Sequence, residues 1–374
     1  LSAPIPVALI VAVGHFDYPK PSCREAGVDD DIRMISDAAA RIFADLADPR
    51  TLNAATDESW RAPLWQALEE AGLTRAWLPE TAGGAGLPLD CGFEILRVSG
   101  QYACPVALAE TLLAGWALVE AGLEAPDGAI ALGPVRTRDA LAFDGATVTG
   151  VARSVPHAAE AGLVVLMLEN RLLCFDPAAV HMDPCDADMG GARADVRFER
   201  AAPTAMADLP QAAERMMAMG AVARACQMTG ALETALAMTA EYTGEREAFG
   251  RKIGKFQAVQ QNMARLAGEV AAAMTAAGSA ADTLASENHA SEAAFLEAAA
   301  AKIRVGEAAY EGAMIAHQTH GAIGWTSEHT LQRFTRRLFG WRDDFGSEAE
   351  WALRLGRHVA RRGAERCWPM LTAR

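Results

Sequence analysis

Two short segments in the last third of the 374-residue chain combine residue types suited to holding phosphates and heterocycles. The first runs Arg246-Glu247-Ala248-Phe249-Gly250-Arg251-Lys252-Ile253-Gly254-Lys255-Phe256-Gln257. It reads as an arginine at a helix end, a glycine turn, and a glutamine on the next helix. A guanidinium offers phosphate a fork of donors, and a carboxamide can pair with an amide-like edge. A glycine C-cap beside a solvated arginine would produce the same string. The second segment is Gln318-Thr319-His320-Gly321-Ala322-Ile323-Gly324-Trp325-Thr326. Its small residues let another group approach the backbone, and Gln318 can bond a sugar or a phosphate. A helix that simply ends at Gly321 is the plainer account. His317 and His320 share a helical face, but no third ligand accompanies them, so both are expected to be structural and no metal is expected.

The elements that must position these segments are mostly helical. Hydrophobic residues make up 51% of the chain and aromatics only 6%, with long Ala/Leu/Glu/Arg stretches that favour helix. The length implies two or three domains. Residues 1–29 look unlike the rest and read as an extension without an assigned role. Residues 30–125 form an N-terminal helical domain, with Ile32, Ile35, Ala39, Ile42 and Phe43 on one face and Trp60, Leu64, Leu68 and Leu73 on others. Its loop Leu78 to Pro88 carries Gly83, Gly84 and Gly86, but no β-α-β unit surrounds it, so a dinucleotide fingerprint is set aside. Residues 126–210 form a small β domain: Thr147–Val151, Leu163–Leu168, Arg171–Phe175 and Ala194–Phe198 read as strands, with Glu169-Asn170 as a turn. Residues 211–374 form an antiparallel helical bundle, with helices predicted over Ala212–Glu241, Phe256–Leu284, Ser291–His317 and Ser347–Arg362.

Charge and cysteine usage narrow the function further. The net charge is −14 and no basic patch is interleaved with aromatics, so nucleic acid is not an expected partner. Seven scattered cysteines (Cys23, Cys91, Cys104, Cys174, Cys185, Cys226, Cys367) include no CxxC pair, which points to a reducing cytoplasm. The apolar run Ile5 to Val13 is too short to cross a bilayer and lacks a basic segment before it, so neither a membrane span nor a signal peptide is expected.

Together, at this spacing, the two C-terminal segments resemble the acyl-CoA dehydrogenase family. Trp65-Gln66-Ala67-Leu68, Leu78-Pro79-Glu80 and Gly83-Gly84-Ala85-Gly86 look like that family's N-terminal helical domain. The resemblance implies the fold (helices, then a small β domain, then a helical bundle) and α,β-desaturation of an acyl-CoA thioester. It also implies FAD lying across a subunit interface, an oligomer (dimer or tetramer), and electron-transfer flavoprotein or a similar acceptor. By the same resemblance, Arg246 pairs with the pyrophosphate of a neighbouring subunit's FAD, and Phe249 and Gln257 contact its adenosine. Gln318, Gly321 and Gly324 offer polar and backbone contacts to the same half, with Ala322 in place of a glycine.

The chain departs from the family where the base belongs. The family's Glu-Gly-Thr motif falls on Phe345-Gly346-Ser347, so Phe345 stands at the glutamate position and Ser347 remains among the cofactor contacts. The alternative base position on the first long C-terminal helix falls near Gly220, with Glu214 more than a turn away. Asp343 and Asp344 are substitutes only if the loop shifts. In the β domain, the flavin-stacking segment aligns with Ser154-Val155-Pro156, which lacks both the ring and a proline N–H. The expected function is a subunit that lends the ADP half of an FAD site to a catalytic partner. A self-sufficient homo-oligomeric enzyme with a displaced base, and a flavin-free acyl-CoA-binding or scaffold protein, stand as alternatives.

Overall fold

The computed structural model describes residues 26–185, 191–286 and 288–372. Most of the expected N-terminal extension, residues 1–25, and Cys23 lie outside the described residues. Helix α1 (Ala26–Leu46) starts four residues before the expected Asp30 and buries Ala39 and Phe43. Short α2 (Pro49–Ala54), α3 (Arg61–Glu70), α4 (Leu89–Gln101) and α5 (Leu108–Glu120) complete the N-terminal helical part.

The β region holds two four-stranded sheets, with twice as many strands as the alternating pattern predicts. One has the order β1 (Ile130–Gly133), β4 (Leu163–Leu168), β5 (Arg171–Phe175), β8 (Ala205–Asp208). The other has the order β2 (Leu141–Phe143), β3 (Val148–Pro156), β7 (Arg193–Ala201), β6 (His181–Pro184). The β1–β4 pair is parallel and the remaining neighbours run antiparallel. Ala131, Leu166 and Phe175 from the first sheet meet Val148, Val196 and Phe198 from the second, and the two phenylalanine rings lie edge-on at 4.9 Å. The four strands the pattern misses are only three or four residues long, too short for alternation to register.

The C-terminal part is built on three long helices: α6 (Ala212–Glu245), α7 (Gln257–Ser286) and α8 (Glu292–His320). A two-stranded hairpin, β9 (Glu247–Ala248) and β10 (Arg251–Lys252), joins α6 to α7. Then come α9 (Leu331–Asp343), which the sequence reading does not place, α10 (Glu348–Arg362) and α11 (Cys367–Thr372). Helix α6 is central because it is buried on every side from Met216 to Leu232, packing on α4, α7, α8 and α9. It meets α4 backbone to backbone: a Cβ on Gly230 would fall 1.9 Å from the Arg97 carbonyl oxygen. Arg97 and Gln101 on α4 both reach Glu233 on α6 at 2.5 Å, tying the N-terminal part to the bundle.

Candidate functional site

The loop between α9 and α10 carries the position expected for a base. Phe345 there is 0% exposed and held at both ends of its peptide unit. Its N–H donates to the Val135 carbonyl at 2.8 Å, and its own carbonyl accepts from Trp351 Nε1 at 2.8 Å. The residue sits at φ 53°, and Gly346 follows at φ 88°. The ring lies against Gly220, where a Cβ would come within 2.4 Å of ring carbons. The two positions at which the sequence reading looks for a base are therefore in direct contact, and neither is an acid. Ser347 caps α10 in a reciprocal box: Glu350 N–H donates to its Oγ, and Ser347 N–H donates to the Glu350 carboxylate at 2.9 Å.

Asp344 is completely buried and belongs to a chain of ions. Arg193 of β7 grips it with two bonds, Nη1 at 2.8 Å and Nη2 at 2.9 Å. Arg224 of α6 reaches its Oδ2 through Nε at 3.1 Å, donates to Gln227 at 2.6 Å, and pairs with Glu110 of α5. Burial alone would raise the Asp344 pKa, but Arg193 and Arg224 overcome it and hold the carboxyl well below the usual range. A carboxylate so held is a poor proton acceptor. Asp343 is exposed, 3.4 Å from Arg136, whose guanidinium also comes within 3.8 Å of Asp344.

The Ser154-Val155-Pro156 segment, which by the sequence reading lacks the ring for stacking on a flavin, is tied to the same ions. Ser154, at φ 53°, gives its carbonyl to Arg193 Nη1 at 2.9 Å, and its N–H donates to Asp195 at 2.7 Å. Arg193 thus bridges the Ser154 segment and the base loop directly. On the far side of that loop, Lys302 of α8 is buried and donates to the Trp341 and Arg342 carbonyls, at 3.0 and 2.7 Å, at the end of α9. Burial pushes the Lys302 pKa down to about 7 despite nearby Asp344.

The second half of the expected site is open. Gln318, Gly321 and Ala322 line one groove of about 420 Å³ with Trp325, Met314 and Arg265. Gly324 is buried beneath it, against His317 and His320. Near the end of α6, the Tyr242 ring stacks on His320 at 4.4 Å. One turn further, the exposed Arg246 caps α6, and its side chain makes no ion pair among the described residues. Phe249, at φ 53° and 93% exposed, tips the hairpin and meets Phe256 edge-on at 6.2 Å. Gln257 opens α7 at the surface. The structure brings Gln318, Gly321, Ala322 and Trp325 together. Arg246, Phe249 and Gln257 lie outside the lining of that groove.

His317 and His320 are buried at the ends of hydrogen bonds to Thr335 Oγ1 and the Ala316 carbonyl, at 2.8 and 2.9 Å. Among the described residues no group of His, Cys, Asp or Glu is arranged to hold a metal. Among the described residues no helix is long and apolar enough to cross a membrane, and the six described cysteines are free. Sequence reasoning missed Glu110, Arg193, Arg224 and Lys302. They come from four separate elements, and a lone charged residue gives no periodic signal of burial.

Comparison with known proteins points one way. Residues 210–340 match the family described as "Acyl-CoA dehydrogenase, C-terminal domain". The chain is 28% identical over 312 residues to acyl-CoA dehydrogenase IpdE2 of Mycobacterium tuberculosis, covering 82% of this chain and 91% of that one. It is 27% identical over 332 residues to IpdE2 of Mycolicibacterium smegmatis, covering 87% and 98%. Among solved structures it resembles a chain of the ChsE4-ChsE5 complex from Mycobacterium tuberculosis. The TM-score is 0.80, at 22% identity, over 91% of this chain and 99% of that one. The glutaryl-coenzyme A dehydrogenase–glutaryl-CoA complex gives a TM-score of 0.74 at 18% identity, over 89% and 95%.

Proposed function

We propose that this chain, which belongs to the acyl-CoA dehydrogenase family, is the non-catalytic subunit of a two-subunit dehydrogenase and lends the ADP half of an FAD site to its partner. The observation that carries this reading is the contrast between the two half-sites. Arg193 spans the strip between Ser154 and the base loop, and Phe345 fills the space over Gly220. An isoalloxazine between those segments would have to break a buried, doubly bonded ion pair, which is costly. That half does not fit a flavin ring. The other half does fit a dinucleotide: an open groove, an unengaged arginine at a helix end, and a buried His317 Nδ1 without a partner beneath it.

On this reading Arg246 holds pyrophosphate, Phe249 and Gln257 contact the adenosine, and Gln318, Gly321, Ala322 and Gly324 supply close contacts. FAD bound there supplies the hydride acceptor for desaturation of an acyl-CoA thioester, and the partner subunit supplies the base. In this chain Ser347 serves α10 as its cap, and its hydroxyl is engaged there. Likeness to a chain of a named two-component complex supports a subunit role. A self-sufficient enzyme based on Asp344 has against it the two arginines that hold that carboxylate.

The visible absorbance spectrum tests the proposal. The chain purified alone is expected to be colourless, and co-expression with a flavin-binding dehydrogenase subunit is expected to give a yellow complex. Arg246→Ala should release FAD from that complex. Yellow protein from this chain alone, bleached by an acyl-CoA, overturns the reading.

A further inference from the structure

We propose that the small buried cavity among the α4–α5 loop, α6, β7 and α9 is a halide site, in which one chloride ion answers the charge of Arg337. The cavity shares no lining residue with the groove at Gln318, and the inference stands apart from the function proposed above.

Three guanidinium groups line this cavity: Arg193 of β7, Arg224 of α6 and Arg337 of α9, each more than nine-tenths buried. Two carboxylates answer them. Asp344 takes two bonds from Arg193 and one from Arg224, and Glu110 pairs with Arg224. Three cations against two anions leave one positive charge, and it sits on Arg337. Among the described residues the Arg337 side chain makes no ion pair and no hydrogen bond. The groups acting on its charge are Cys104 and the arginines Arg333, Arg193 and Arg224, and its guanidinium lies 5.7 Å from the centre of the Trp341 ring. Burial, with those arginines nearby, pushes its pKa down to about 9, so it is still a cation at neutral pH.

The other polar groups of the lining cannot supply the missing negative charge. Burial pushes the Cys104 thiol up to about 12, which keeps it neutral. His157 is either neutral or a cation, and its Nδ1 is already 3.2 Å from Glu160. A buried charge with no partner is strongly unfavourable, so an anion drawn from solvent is the expected remedy. Size selects which one. The space among these groups, about 10 Å³, takes one water-sized particle. Phosphate, sulfate and organic carboxylates are too large, whereas a monatomic anion fits. Water also fits but brings no charge. Gly191 keeps the approach open, since a Cβ there would lie 3.4 Å from Arg337 Nη1.

The test uses the full chain in sodium gluconate, titrated with sodium chloride at constant ionic strength. The chloride NMR line is expected to broaden on adding the protein. The thermal midpoint should rise by about 2 °C for each tenfold of chloride once the site is filling. Arg337→Met should abolish both effects, and in gluconate it should melt no lower than wild type, because it removes a charge that has no partner there. A merely structural arginine would instead give the same loss in both salts. Arg337→Lys keeps the charge and should keep part of the chloride response, and Gly191→Ala should weaken that response by narrowing the site. A chloride line that does not broaden, a chloride response that survives in Arg337→Met, or an equal loss of stability by Arg337→Met in the two salts overturns the site. Asp186 and Asp188 lie outside the described residues. A chloride response that appears only in Asp186→Asn/Asp188→Asn would give the countercharge to one of them and overturn the site as well.

Discussion

Phe345, at the position where the sequence reading expects a base, is a packing group, and its packing involves Gly220. Gly220→Ala would place a methyl 2.4 Å from the Phe345 ring. Overpacking of this kind costs about 1–3 kcal/mol, and denaturant melts should show that loss. Combining Gly220→Ala with Phe345→Leu should recover part of it, so the double-mutant cycle should give a coupling of about 1 kcal/mol. Simple additivity would mean that the two positions do not share one space. Lys302 makes a different residue-scale prediction. Its pKa falls from 10.5 to about 7 because it is buried, so between those values the unfolded chain binds more protons than the folded one. Stability should then rise with pH from about 7 towards 10.5, with no contribution from Lys302 to the slope below 7. Lys302→Met should flatten that rise in melts taken across the interval, and an unchanged slope would assign it to other groups.

Four elements meet in the ion chain Glu110–Arg224–Asp344–Arg193: α5, α6, the α9–α10 loop and β7. Removing the shared anion leaves two buried guanidinium groups short of a partner. Asp344→Asn should therefore cost about 3–5 kcal/mol, read as a shifted denaturation midpoint with the slope unchanged. A change under about 1 kcal/mol would mean that the cluster is not what joins these elements. The same elements show what a sequence reveals. The ends of α6, α7, α8 and α10 were legible to within a few residues, because long alanine-rich runs bounded by turn residues have few alternatives. Phe345 is singled out in the sequence by its distance from the glycine segment, and the structure adds that it is fully buried. Helix α9 was hidden: it is short, and its arginines at 333, 336, 337 and 342 resemble a solvated surface, although Arg337 is buried. Arg193 was hidden too, since nothing local in β7 signals that its partner lies 151 residues away. Long-range ion pairs are decided by topology, which a residue pattern does not carry.

At the scale of the molecule, five of the nine large exposed apolar side chains among the described residues lie on α8, the turn after it and the α6–α7 hairpin, while Met34, Met206, Leu353 and Trp368 stand on other elements. Tyr310 and Met314 stand one turn apart on α8, Ile323 and Trp325 follow on the turn after it, and Phe249 tips the hairpin at the end of α6. A face of this kind suits a lasting subunit contact, since contiguous exposed apolar surface is uncommon on monomers. Tyr310 is the useful probe because it lies outside the groove lining and is 46% exposed. Tyr310→Glu should leave the melting temperature of the isolated chain nearly unchanged, as surface substitutions usually shift stability by less than about 0.5 kcal/mol. In the mixed complex it buries a charge at a contact centre, where losing an aromatic anchor costs about 2 kcal/mol or more, roughly thirtyfold in affinity. Sedimentation velocity on the co-expressed pair should show the complex dissociating at concentrations where the unsubstituted pair stays joined. Wild-type assembly by the variant would place the subunit contact on another face, and the groove at Gln318 would then open to solvent in the complex as well.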